Sequence, residues 1–375
     1  MSMNRVDYED ARCAMRVLVA MSGGVDSSVA AARLLKEGHE VVGATLKLWG
    51  GPSDSGCCSV GDVEDARRVA QQLGIDHHVF NMTAEFDESV VSPYVTAHAV
   101  GKTPNPCIEC NRSIKFGSLL TRTIRLGFDA LATGHHARIA TRAVSHGTTR
   151  SSGSPRLLRG VDIDKDQSYV LSMLDQDQLS RVLLPIGEMT KTQVRSYATD
   201  LGLRTAGKPD SQDVCFISGD HGRKEFLSDR IPLHEAELLD VGSREVVGHV
   251  QELELVTVGQ RKGMGHSRDG RRRYVLRVDV PLKQVIVGGP AEAQIDRLTL
   301  DGSTVCWVSD ALPSGSRVFV QVSAHGRPAC GAFEGDDLLT VVTLDRPQRP
   351  VAPGQTVAFY DIGDPDLVLG SAIAT

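Results

Sequence analysis

The segment VAMSGGVDSSVAA at residues 19–31 constrains the fold of this chain more than any other, because it joins an apolar run to an alanine-rich one through small residues. The run Arg16–Ala20 is short, continuous and rich in valine and leucine, which is typical of a buried parallel strand. Residues 27–37 have helical composition, and Gly38 follows where a glycine commonly ends a helix. The segment therefore predicts a strand, a loop and a helix in succession.

The loop between this strand and this helix is suited to phosphate. Ser22, Gly23 and Gly24 leave backbone N–H groups uncovered at a helix N-terminus, where the helix dipole also favours an anion. The loop is not a Walker A motif because no Gly-Lys follows it, and the GKT at residues 101–103 lacks the glycine that the motif requires at Thr96. An ordinary strand-to-helix turn, which often carries Gly and Ser, is the alternative interpretation.

Apolar strands and helical stretches alternate over residues 16–136. The further elements predicted in the first half are strands at 41–48, 79–81 and 128–133 and helices at 62–73, 108–126 and 190–202. Such repeated units predict an α/β fold with a doubly wound parallel sheet, whose ligands bind at the carboxyl ends of the strands.

The character of the sequence changes after about residue 235, where short β-branched runs are separated by Gly, Pro and Asp. That pattern predicts small antiparallel barrels or sandwiches. At 375 residues the chain is long enough for three domains. We place them at residues 1–218 for the α/β domain, 219–288 for a small central β-rich domain and 289–375 for a C-terminal β-barrel.

The composition is that of an ordinary globular protein, with 41% hydrophobic and 23% charged residues. No apolar run approaches the ~18 residues of a membrane helix, and the N-terminus lacks the apolar core of a signal peptide. We therefore expect a cytoplasmic protein without a membrane partner. Its eight cysteines are then expected to be thiols, catalytic groups or metal ligands rather than structural disulfides.

The net charge of −6 gives no global support for nucleic-acid binding, but two local segments are basic. Residues 259–277 hold seven Lys or Arg against one Asp, and we expect the arginines at 271–273 to contribute non-specific phosphate contacts. The second basic segment carries Arg112, Lys115, Arg122 and Arg125. For both segments the alternative interpretation is a basic surface that contacts only solvent.

The segment GKTPNPCIECNRSIKF at residues 101–116 carries the second informative pattern. Its prolines favour an extended, stiff conformation, and Cys107 and Cys110 follow at the start of a helical run, where the dipole lowers a thiol pKa. A Cys-x-x-Cys pair is typical of a redox pair, half a zinc site, a cluster ligand or a catalytic thiol. The adjacent pairs at 57–58 and 135–136 do not have zinc spacing, so zinc is the least favoured of the four.

Ser-Gly-Gly-Val-Asp-Ser at residues 22–27 resembles the pyrophosphate loop (PP-loop) of the ATP pyrophosphatases, which cleave ATP between its α- and β-phosphates. Taken with the cysteine segment, the chain closely resembles one family, the tRNA-specific 2-thiouridylases. The matching motifs are TPNP-x-x-x-CN-x-x-IKF at 103–116, ATGHHAR at 132–138, DKDQSYVL at 164–171, PDSQDVCFI at 209–217, GQRKGMG at 259–265 and PGQ at 353–355. They follow the family's order over nearly the whole chain.

The resemblance implies an enzyme that uses ATP with Mg²⁺ to adenylate the C2 oxygen of the wobble uridine in tRNA. Sulfur then replaces that oxygen, which gives 2-thiouridine. The implied partners are tRNA and a donor of persulfide or sulfide, such as a cysteine desulfurase or a sulfur-relay protein. Two rival functions are another adenylating PP-loop enzyme, such as an amidotransferase or synthetase, and a non-catalytic tRNA-binding protein.

The resemblance also implies roles by position. Cys110 is the nucleophile or persulfide thiol, and Cys215 is the partner that closes a disulfide with it; a buried thiol that only packs is the alternative for each. Ser22, Ser27 and Ser28 would cradle pyrophosphate, and Asp26 could help to hold Mg²⁺. The residues implied to bind ATP are Ala20, Met21, Ser22, Gly23, Gly24, Val25, Asp26, Ser27, Leu46 and Gly134, where the glycine would let backbone approach the nucleotide closely. Those implied to bind tRNA are Asn105, Pro106, Cys107, His135, Lys165, Asp166, Gln167 and Gln355.

This chain departs from the family pattern at two places. Many members carry an aspartate where this chain has Cys107, and the sequence AHGR at 324–327 differs from the family's tRNA-contact motif. Cys107, Cys110 and Cys215 could instead hold a 4Fe–4S cluster with one open iron, as in related cluster-dependent tRNA thiolases. The persulfide and cluster mechanisms both stay open at this point. The remaining cysteines are expected to be structural or are left without a role: Cys13, Cys306 and Cys330 in the first group, Cys57 and Cys58 in the second.

Overall fold

The computed structural model describes residues 14–49, 60–141, 153–210, 214–217, 222–267, 270–308, 310–335 and 339–375, so Cys13, Cys57 and Cys58 lie outside the described residues. The strands, in chain order, are β1 (Arg16–Ala20), β2 (Glu40–Lys47), β3 (His77–Asn81), β4 (Ala130–Thr133), β5 (Ala137–Thr141), β6 (Pro155–Arg159), β7 (Val182–Leu183), β8 (Ala236–Asp240), β9 (Val246–Val250), β10 (Tyr274–Asp279), β11 (Gln284–Gly288), β12 (Ile295–Trp307), β13 (Arg317–Gln321), β14 (Ala329–Gly335), β15 (Leu339–Gln348), β16 (Thr356–Asp361) and β17 (Val368–Ala374). The α-helices are α1 (Val25–Lys36), α2 (Val60–Leu73), α3 (Thr83–Phe86), α4 (Ser92–Ala99), α5 (Pro106–Glu109), α6 (Leu120–Arg125), α7 (Gln176–Leu179), α8 (Lys191–Asp200) and α9 (Gly222–Ser228). Two π-helical segments cover Asp87–Val91 and Cys110–Leu119, and 3₁₀ turns cover Ile163–Lys165, Ser168–Leu171 and Leu253–Leu255.

A parallel sheet with the strand order β3-β2-β1-β4-β7 forms the centre of the first half. Each pair of neighbours in this sheet is parallel. Val17 and Val19 of β1 pack into one hydrophobic cluster, while Leu18 packs into another, so both faces of the strand are covered. The predicted α/β fold with a doubly wound parallel sheet is confirmed.

The helix after β1 follows the prediction closely. It begins at Val25, two residues earlier than expected, and Gly38 ends it with a φ of +85°, in the left-handed region. In α2 the buried residues are Ala66, Val69 and Ala70, which recur at helical spacing on one face.

The helix that carries the cysteine motif runs continuously over residues 106–125 as α5, a π-helical segment and α6. The side chain of Asn105 caps its N-terminus and accepts a hydrogen bond from the backbone N–H of Cys107 at 3.0 Å. The π-helical segment is Cys110–Leu119, so Cys110 lies where the helical geometry changes. The sequence predicted a helix here but not its π geometry, which often occurs at functional sites.

The second half contains two β structures. A small sheet has the strand order β10-β11-β8-β9, and the closed barrel has the order β12-β15-β14-β13-β16-β17. All neighbours in the barrel are antiparallel, as predicted. In the small sheet β8 and β11 are parallel, so the antiparallel expectation is wrong for that pair. Two other strands and a 3₁₀ turn lie between them in sequence, which is long enough for the crossover that a parallel pair needs.

The barrel packs against the first half of the chain, and two of its contacts lie next to β6 and to the cysteine motif. Leu158 in β6 forms an isolated β-bridge with Leu367. The backbone N–H of Thr103 donates to the Pro353 carbonyl at 2.8 Å, and the Gln355 amide donates to the Thr103 carbonyl. The PGQ segment therefore fixes the residues that lead into the cysteine helix. Within the part of the chain that the structure describes, no helix is long and apolar enough to cross a membrane.

Candidate active site

A cavity of about 590 Å³ lies at the carboxyl ends of β1, β2 and β4, where a doubly wound sheet binds its ligands. The residues from the sequence-based assignments that line it are Ala20, Met21, Ser22, Gly24, Val25, Asp26, Ser27, Leu46, Gly134, His135, Lys165, Asp166 and Gln167. The structure places the other assigned residues outside this lining, namely Gly23, Ser28, Asn105, Pro106, Cys107, Cys110, Cys215 and Gln355. The cavity thus joins most of the residues assigned to ATP with part of those assigned to tRNA.

Two glycines shape the loop between β1 and α1. Gly23 has a φ of +71°, and a Cβ atom at this position would overlap the carbonyl oxygen of Asp62 in α2. Gly24 is the N-cap of α1, and no side chain caps this helix end, so the first N–H groups lack a side-chain acceptor. An uncapped helix N-terminus beside a cavity is a favourable place for an anion.

The serines of the loop have different tasks. The Ser27 hydroxyl accepts a hydrogen bond from the Ser22 N–H and donates one to the Gly24 carbonyl, both at 3.2 Å. Ser28 is fully buried; its hydroxyl donates to the Gly24 carbonyl at 2.8 Å and accepts from Thr205 at 3.1 Å. The expectation that Ser28 cradles pyrophosphate is therefore wrong, because its hydroxyl is occupied in the core.

Asp26, the acidic residue of the loop, is held by two basic side chains. Lys191 Nζ lies 2.7 Å from both carboxylate oxygens of Asp26, and His136 Nε2 lies 3.2 Å from one of them. Burial raises the pKa of Asp26, but the hydrogen bonds and charges of His136 and Lys191 outweigh it and hold this pKa below its usual value. The carboxylate is therefore ionised at neutral pH and able to bind a cation.

Lys191 joins this loop to a second carboxylate. It is the first residue of α8, is 9% exposed, and its ammonium also lies 2.9 Å from Asp210. Asp210 pairs in addition with Lys165 and with Arg195, each at 2.8 Å. Burial raises the pKa of Asp210, and the lysine partners more than offset this, so the pKa falls to about 2. Sequence reasoning missed Lys191 and Asp210, although Asp210 lies within the motif PDSQDVCFI that it had singled out.

Lys208 ties the loop to α2. Its ammonium donates to the Gly23 carbonyl at 3.0 Å and to the carboxylates of Asp62 at 2.6 Å and Asp65 at 2.8 Å. Lys208 lines the cavity together with Lys191 and Lys165. The same lining carries Asp26, Asp62 and Asp210, which pair with these lysines, so the uncapped helix N-terminus is the part of the site that favours an anion.

The segment that follows β4 supplies another part of the lining. A Cβ atom on Gly134 would lie 2.6 Å from the backbone nitrogen of Ser27, so this glycine lets β4 approach α1 closely, and its contact with the nucleotide stays a prediction. His135 is 8% exposed, and burial holds its pKa well below the usual value, so its imidazole is neutral. His136, which the sequence had not assigned, contacts Asp26 and donates its backbone N–H to Gln167 Oε1 at 2.9 Å.

Comparisons with known proteins agree with this arrangement. Three family models match consecutive parts of the chain: the tRNA methyl transferase HUP domain at residues 15–219, the tRNA methyl transferase PRC-barrel domain at 224–289 and the aminomethyltransferase beta-barrel domain at 297–374. The tRNA-specific 2-thiouridylase MnmA of Mycobacterium avium (strain 104) is 45% identical over 369 residues, which cover 96% of this chain and 98% of that protein. This chain belongs to the tRNA-specific 2-thiouridylase family. Another member, from Roseiflexus sp. (strain RS-1), is 44% identical over 371 residues, 95% of this chain and 98% of that protein.

Two cysteines of the 2-thiouridylase motifs, Cys110 and Cys215, lie at one hydrophobic cluster. Cys110 is 7% exposed and belongs to the cluster, whereas Cys215 is half-buried and packs against it. Cys107 is exposed. Within the described ranges, no three Cys, His, Asp or Glu side chains are grouped so that they could hold a metal ion. An iron–sulfur cluster at the three cysteines therefore stays a prediction, as does the persulfide mechanism.

The cysteine helix of this 2-thiouridylase family member reaches the cavity through other residues. Lys115, five residues beyond Cys110, lines the cavity. The Asn111 amide donates to the carbonyl of Val170 at 3.1 Å, and Val170 lines the cavity as well. The helix that carries Cys110 is thus part of the cavity wall, although Cys110 itself is not.

Two residues that the 2-thiouridylase resemblance assigns to tRNA use their side chains within the protein. Asp166 is 5% exposed; its carboxylate accepts from the N–H groups of Gly160 and Ser168, both at 3.0 Å, and pairs with Arg159 at 2.8 Å. Gln355 donates to a backbone carbonyl ahead of the cysteine helix. These bonds indicate that both side chains position neighbouring segments, and their contact with tRNA stays a prediction.

The residues of the two basic segments differ in exposure. Arg271 and Arg272 are exposed, but Arg273 is 8% exposed and its Nε lies 3.9 Å from Asp240. The expectation of a phosphate contact is therefore wrong for Arg273, because its guanidinium is turned into the small sheet. In the second basic stretch Lys115 lines the cavity, which makes it a contributor to the site rather than to an outer face.

Proposed function

We propose that this chain is an ATP-dependent tRNA-uridine 2-sulfurtransferase. It adenylates the C2 oxygen of the wobble uridine and replaces that oxygen with sulfur, which gives 2-thiouridine. The observation that carries the proposal is the cavity at the ends of the parallel strands, whose lining contains the SGGVDS loop. The 45% identity with a named 2-thiouridylase over 96% of the chain supports the same reaction.

The cavity suits one ATP molecule. Its volume of about 590 Å³ falls in the range of small-molecule sites, roughly 300–1,000 Å³. The N-terminus of α1 with Ser22 and Ser27 would hold the phosphates, and the apolar Leu46 would pack against adenosine. Lys191 and Lys208 would balance the phosphate charge, because both ammonium groups lie beside the loop.

The donor set also fits Mg²⁺. Asp26 and Asp210 offer ionised carboxylates in the cavity lining, and carboxylate oxygens are the ligands that Mg²⁺ prefers in proteins. When bound, the metal supplies charge neutralisation for the phosphates. Lys191 contacts both carboxylates, so a cation at Asp26 competes with this ammonium and leaves it available for the phosphates.

The first reaction makes the C2 oxygen a good leaving group. The uridine oxygen attacks the α-phosphate, pyrophosphate departs, and the oxygen becomes part of an AMP ester. The ammonium groups of Lys191, Lys165 and Lys208 face the charge that develops on the departing pyrophosphate, and such preorganised charges usually supply the largest share of catalysis.

The sulfur step uses two thiols. A persulfide on Cys110 or Cys215 forms a bond from its terminal sulfur to C2, the C2–O bond breaks, and AMP departs with the oxygen and the electron pair of that bond. The other thiolate then attacks the enzyme-bound sulfur, which breaks the S–S bond, leaves sulfur on the uridine and closes a Cys110–Cys215 disulfide. A cysteine desulfurase or sulfur-relay protein would load the persulfide, and a thiol reductant would reopen the disulfide.

The tRNA would contact all three parts of the chain. Uridine must leave the base stack before its C2 reacts, and the proline-flanked residues 105–107 would receive it. We assign catalysis to residues 1–218, outer phosphate contacts to 219–288 and further tRNA contact to the barrel at 289–375. We propose that the reaction takes place in the cytoplasm, where thiols stay reduced.

The test is formation of 2-thiouridine, measured by mass spectrometry after reaction with ATP, tRNA and a persulfide donor. We expect Cys110→Ser and Cys215→Ser each to abolish the product while ATP and tRNA still bind, because thiol-to-hydroxyl exchange removes reactivity and little volume. Cys330→Ser in β14 is the control and should keep wild-type activity. Full activity of Cys110→Ser would contradict the mechanism.

Cys107→Ser separates the two sulfur mechanisms. The persulfide route predicts reduced but measurable activity, whereas a three-thiolate cluster predicts loss of iron and of all turnover. Anaerobic purification with an iron and sulfide assay completes the comparison. ATP turnover to AMP that does not depend on tRNA would instead favour the amidotransferase or synthetase, and tRNA binding without ATP turnover would favour a binding protein.

A further inference from the structure

A turn of the C-terminal barrel forms part of the cavity wall. The turn covers residues 323–326, and its Gly326 N–H donates to the Ser323 carbonyl at 3.0 Å. Ala324 and His325 of this turn line the same cavity as the loop between β1 and α1. His325 is exposed, as is Arg327 just beyond it. The lining of the cavity is therefore shared between the α/β domain and the barrel.

One buried amide holds this turn. Gln321, the last residue of β13, is 2% exposed. Its Nε2 donates to the Ser323 carbonyl at 2.9 Å and to the Ala324 carbonyl at 3.1 Å. Its Oε1 accepts from Arg159 Nη2 at 2.7 Å. Gln321 thus connects the backbone of the turn to a side chain of the α/β domain.

Arg159 extends the connection to the other side of the cavity. It is 9% exposed, pairs with Asp166 at 2.8 Å, donates to the Pro365 carbonyl at 3.2 Å and stacks on Tyr360 with 3.7 Å from Cζ to the ring centroid. Asp166 belongs to the DKDQ segment, which lines the cavity from the α/β side. A planar guanidinium with five donors can hold these partners at once, which a lysine could not.

Resting on the proposed function, we propose that Arg159 and Gln321 are positioning residues that set the barrel turn at 323–326 against the DKDQ segment so that the cavity accepts tRNA. The turn places His325 in the cavity lining, and the exposed Arg327 follows it; an imidazole and a guanidinium suit the base and phosphate groups of RNA. Neither positioning residue contacts substrate. They act through the backbone of the turn and through the carboxylate of Asp166.

The test uses a substitution that removes the hydrogen bonds from Gln321 to the turn but keeps an acceptor for Arg159. Gln321→Glu keeps an oxygen for Arg159 but places a carboxylate against the two turn carbonyls in place of an N–H donor. Loss of two hydrogen bonds of ordinary net strength lowers the equilibrium constant for docking of the turn by about tenfold. In the full-length protein we expect the KM for tRNA to rise by about tenfold, while the KM for ATP stays within about twofold of wild type.

Gln176→Glu is the matched control. Gln176 Nε2 also donates to two carbonyls, that of Pro155 at 2.9 Å and that of Val308 in the barrel, but neither partner lines the cavity. We expect this variant to lower the Tm as much as Gln321→Glu does or more, with the KM for tRNA unchanged. An unchanged KM for tRNA in Gln321→Glu, or an equal rise in Gln176→Glu, would overturn the positioning role.

A direct measurement of tRNA binding tests the positioning role separately from the proposed function. The dissociation constant for tRNA, measured without ATP or sulfur donor, should rise for Gln321→Glu and not for Gln176→Glu. If the wild-type chain binds tRNA but forms no 2-thiouridine, the proposed function fails, and the binding ratio of the two variants still decides the positioning role.

Discussion

Asp26 brings a negative charge to a loop that we assign to a phosphate ligand, and Lys191 with His136 compensates that charge. The ammonium lies 2.7 Å from both carboxylate oxygens, in a lining where three lysines stand close to the loop. The carboxylate can thus orient an ammonium or a cation without repelling the phosphates. At the scale of single residues, the loop therefore offers a ligand both its backbone N–H groups and the Asp26–Lys191 ion pair.

Replacement of Asp26 should stop the first half-reaction. In Asp26→Ala the pyrophosphate and its metal lose a partner and Lys191 keeps only Asp210, so we expect no measurable tRNA-dependent release of pyrophosphate. Coupled-assay rates for Asp26→Ala compared with the exposed control Asp76→Ala provide the measurement. Wild-type rates in Asp26→Ala would remove the loop from the reaction.

The sequence identified some of these residues and not others for a physical reason. Small residues and an aspartate between a strand and a helix have a local signature, so Ser22 through Ser27 could be predicted. Lys191 is 165 residues from Asp26 along the chain, and an isolated lysine at a helix start has no signature of its own. His136 was quoted within a motif, but nothing local showed that it, rather than His135, contacts Asp26.

At the scale of elements, the loop depends on its contact with α2. Gly23→Ala would force a positive φ on an alanine, at about 1 kcal/mol or more, and would press a methyl group on the Asp62 carbonyl. We expect a fall in Tm and weaker ATP binding, measured by calorimetry. Gly38→Ala is the matched control, because Gly38 also has a positive φ (+85°) but its Cβ would meet nothing within 4 Å and it does not line the cavity. Equal effects of the two substitutions would mean that the contact with α2 is unimportant.

Elements with a periodic pattern could be predicted, and those defined by distant partners could not. β1, α1 and the buried face of α2 follow from apolar spacing alone. The π geometry of Cys110–Leu119 depends on a shift in backbone hydrogen bonding that leaves no mark on residue type. The parallel pairing of β8 and β11 depends on how the chain crosses over, which strand propensity does not encode.

At the scale of the whole molecule, the exposed arginines of the small sheet should add non-specific affinity for tRNA. Replacement of Arg271 and Arg272 by Ala should weaken binding and flatten its salt dependence by up to about one unit of log–log slope per lost contact. Binding titrations between low and moderate salt measure this slope, with Arg67 and Arg68 of α2 replaced together as the control. An unchanged slope would show that the segment is a solvated face.

Global stability should fall below about pH 6.5 because the fold buries neutral histidines. Burial lowers the pKa of His77, His98 and His135 from the usual 6.5, so the unfolded chain takes up protons that the folded chain does not. Stability is therefore level above pH 6.5 and is lost as the pH decreases from there. His135→Gln should reduce the loss by up to about 1.4 kcal/mol per pH unit in urea unfolding, and the exposed His249→Gln should not. A wild-type pH slope in His135→Gln would contradict this account.

The position of the barrel along the chain imposes an order on how the protein is made. β17 closes the barrel by pairing with β12 and β16, and the PGQ segment just before β16 holds Thr103 ahead of the cysteine helix. The ribosome releases these residues on the order of ten seconds after the parallel sheet is complete. In a growing chain the loop between β1 and α1 is therefore synthesised before the turn at 323–326 and the PGQ segment. Because Ala324 and His325 supply part of the cavity wall, we expect a chain interrupted before residue 324 to lack that part of the wall.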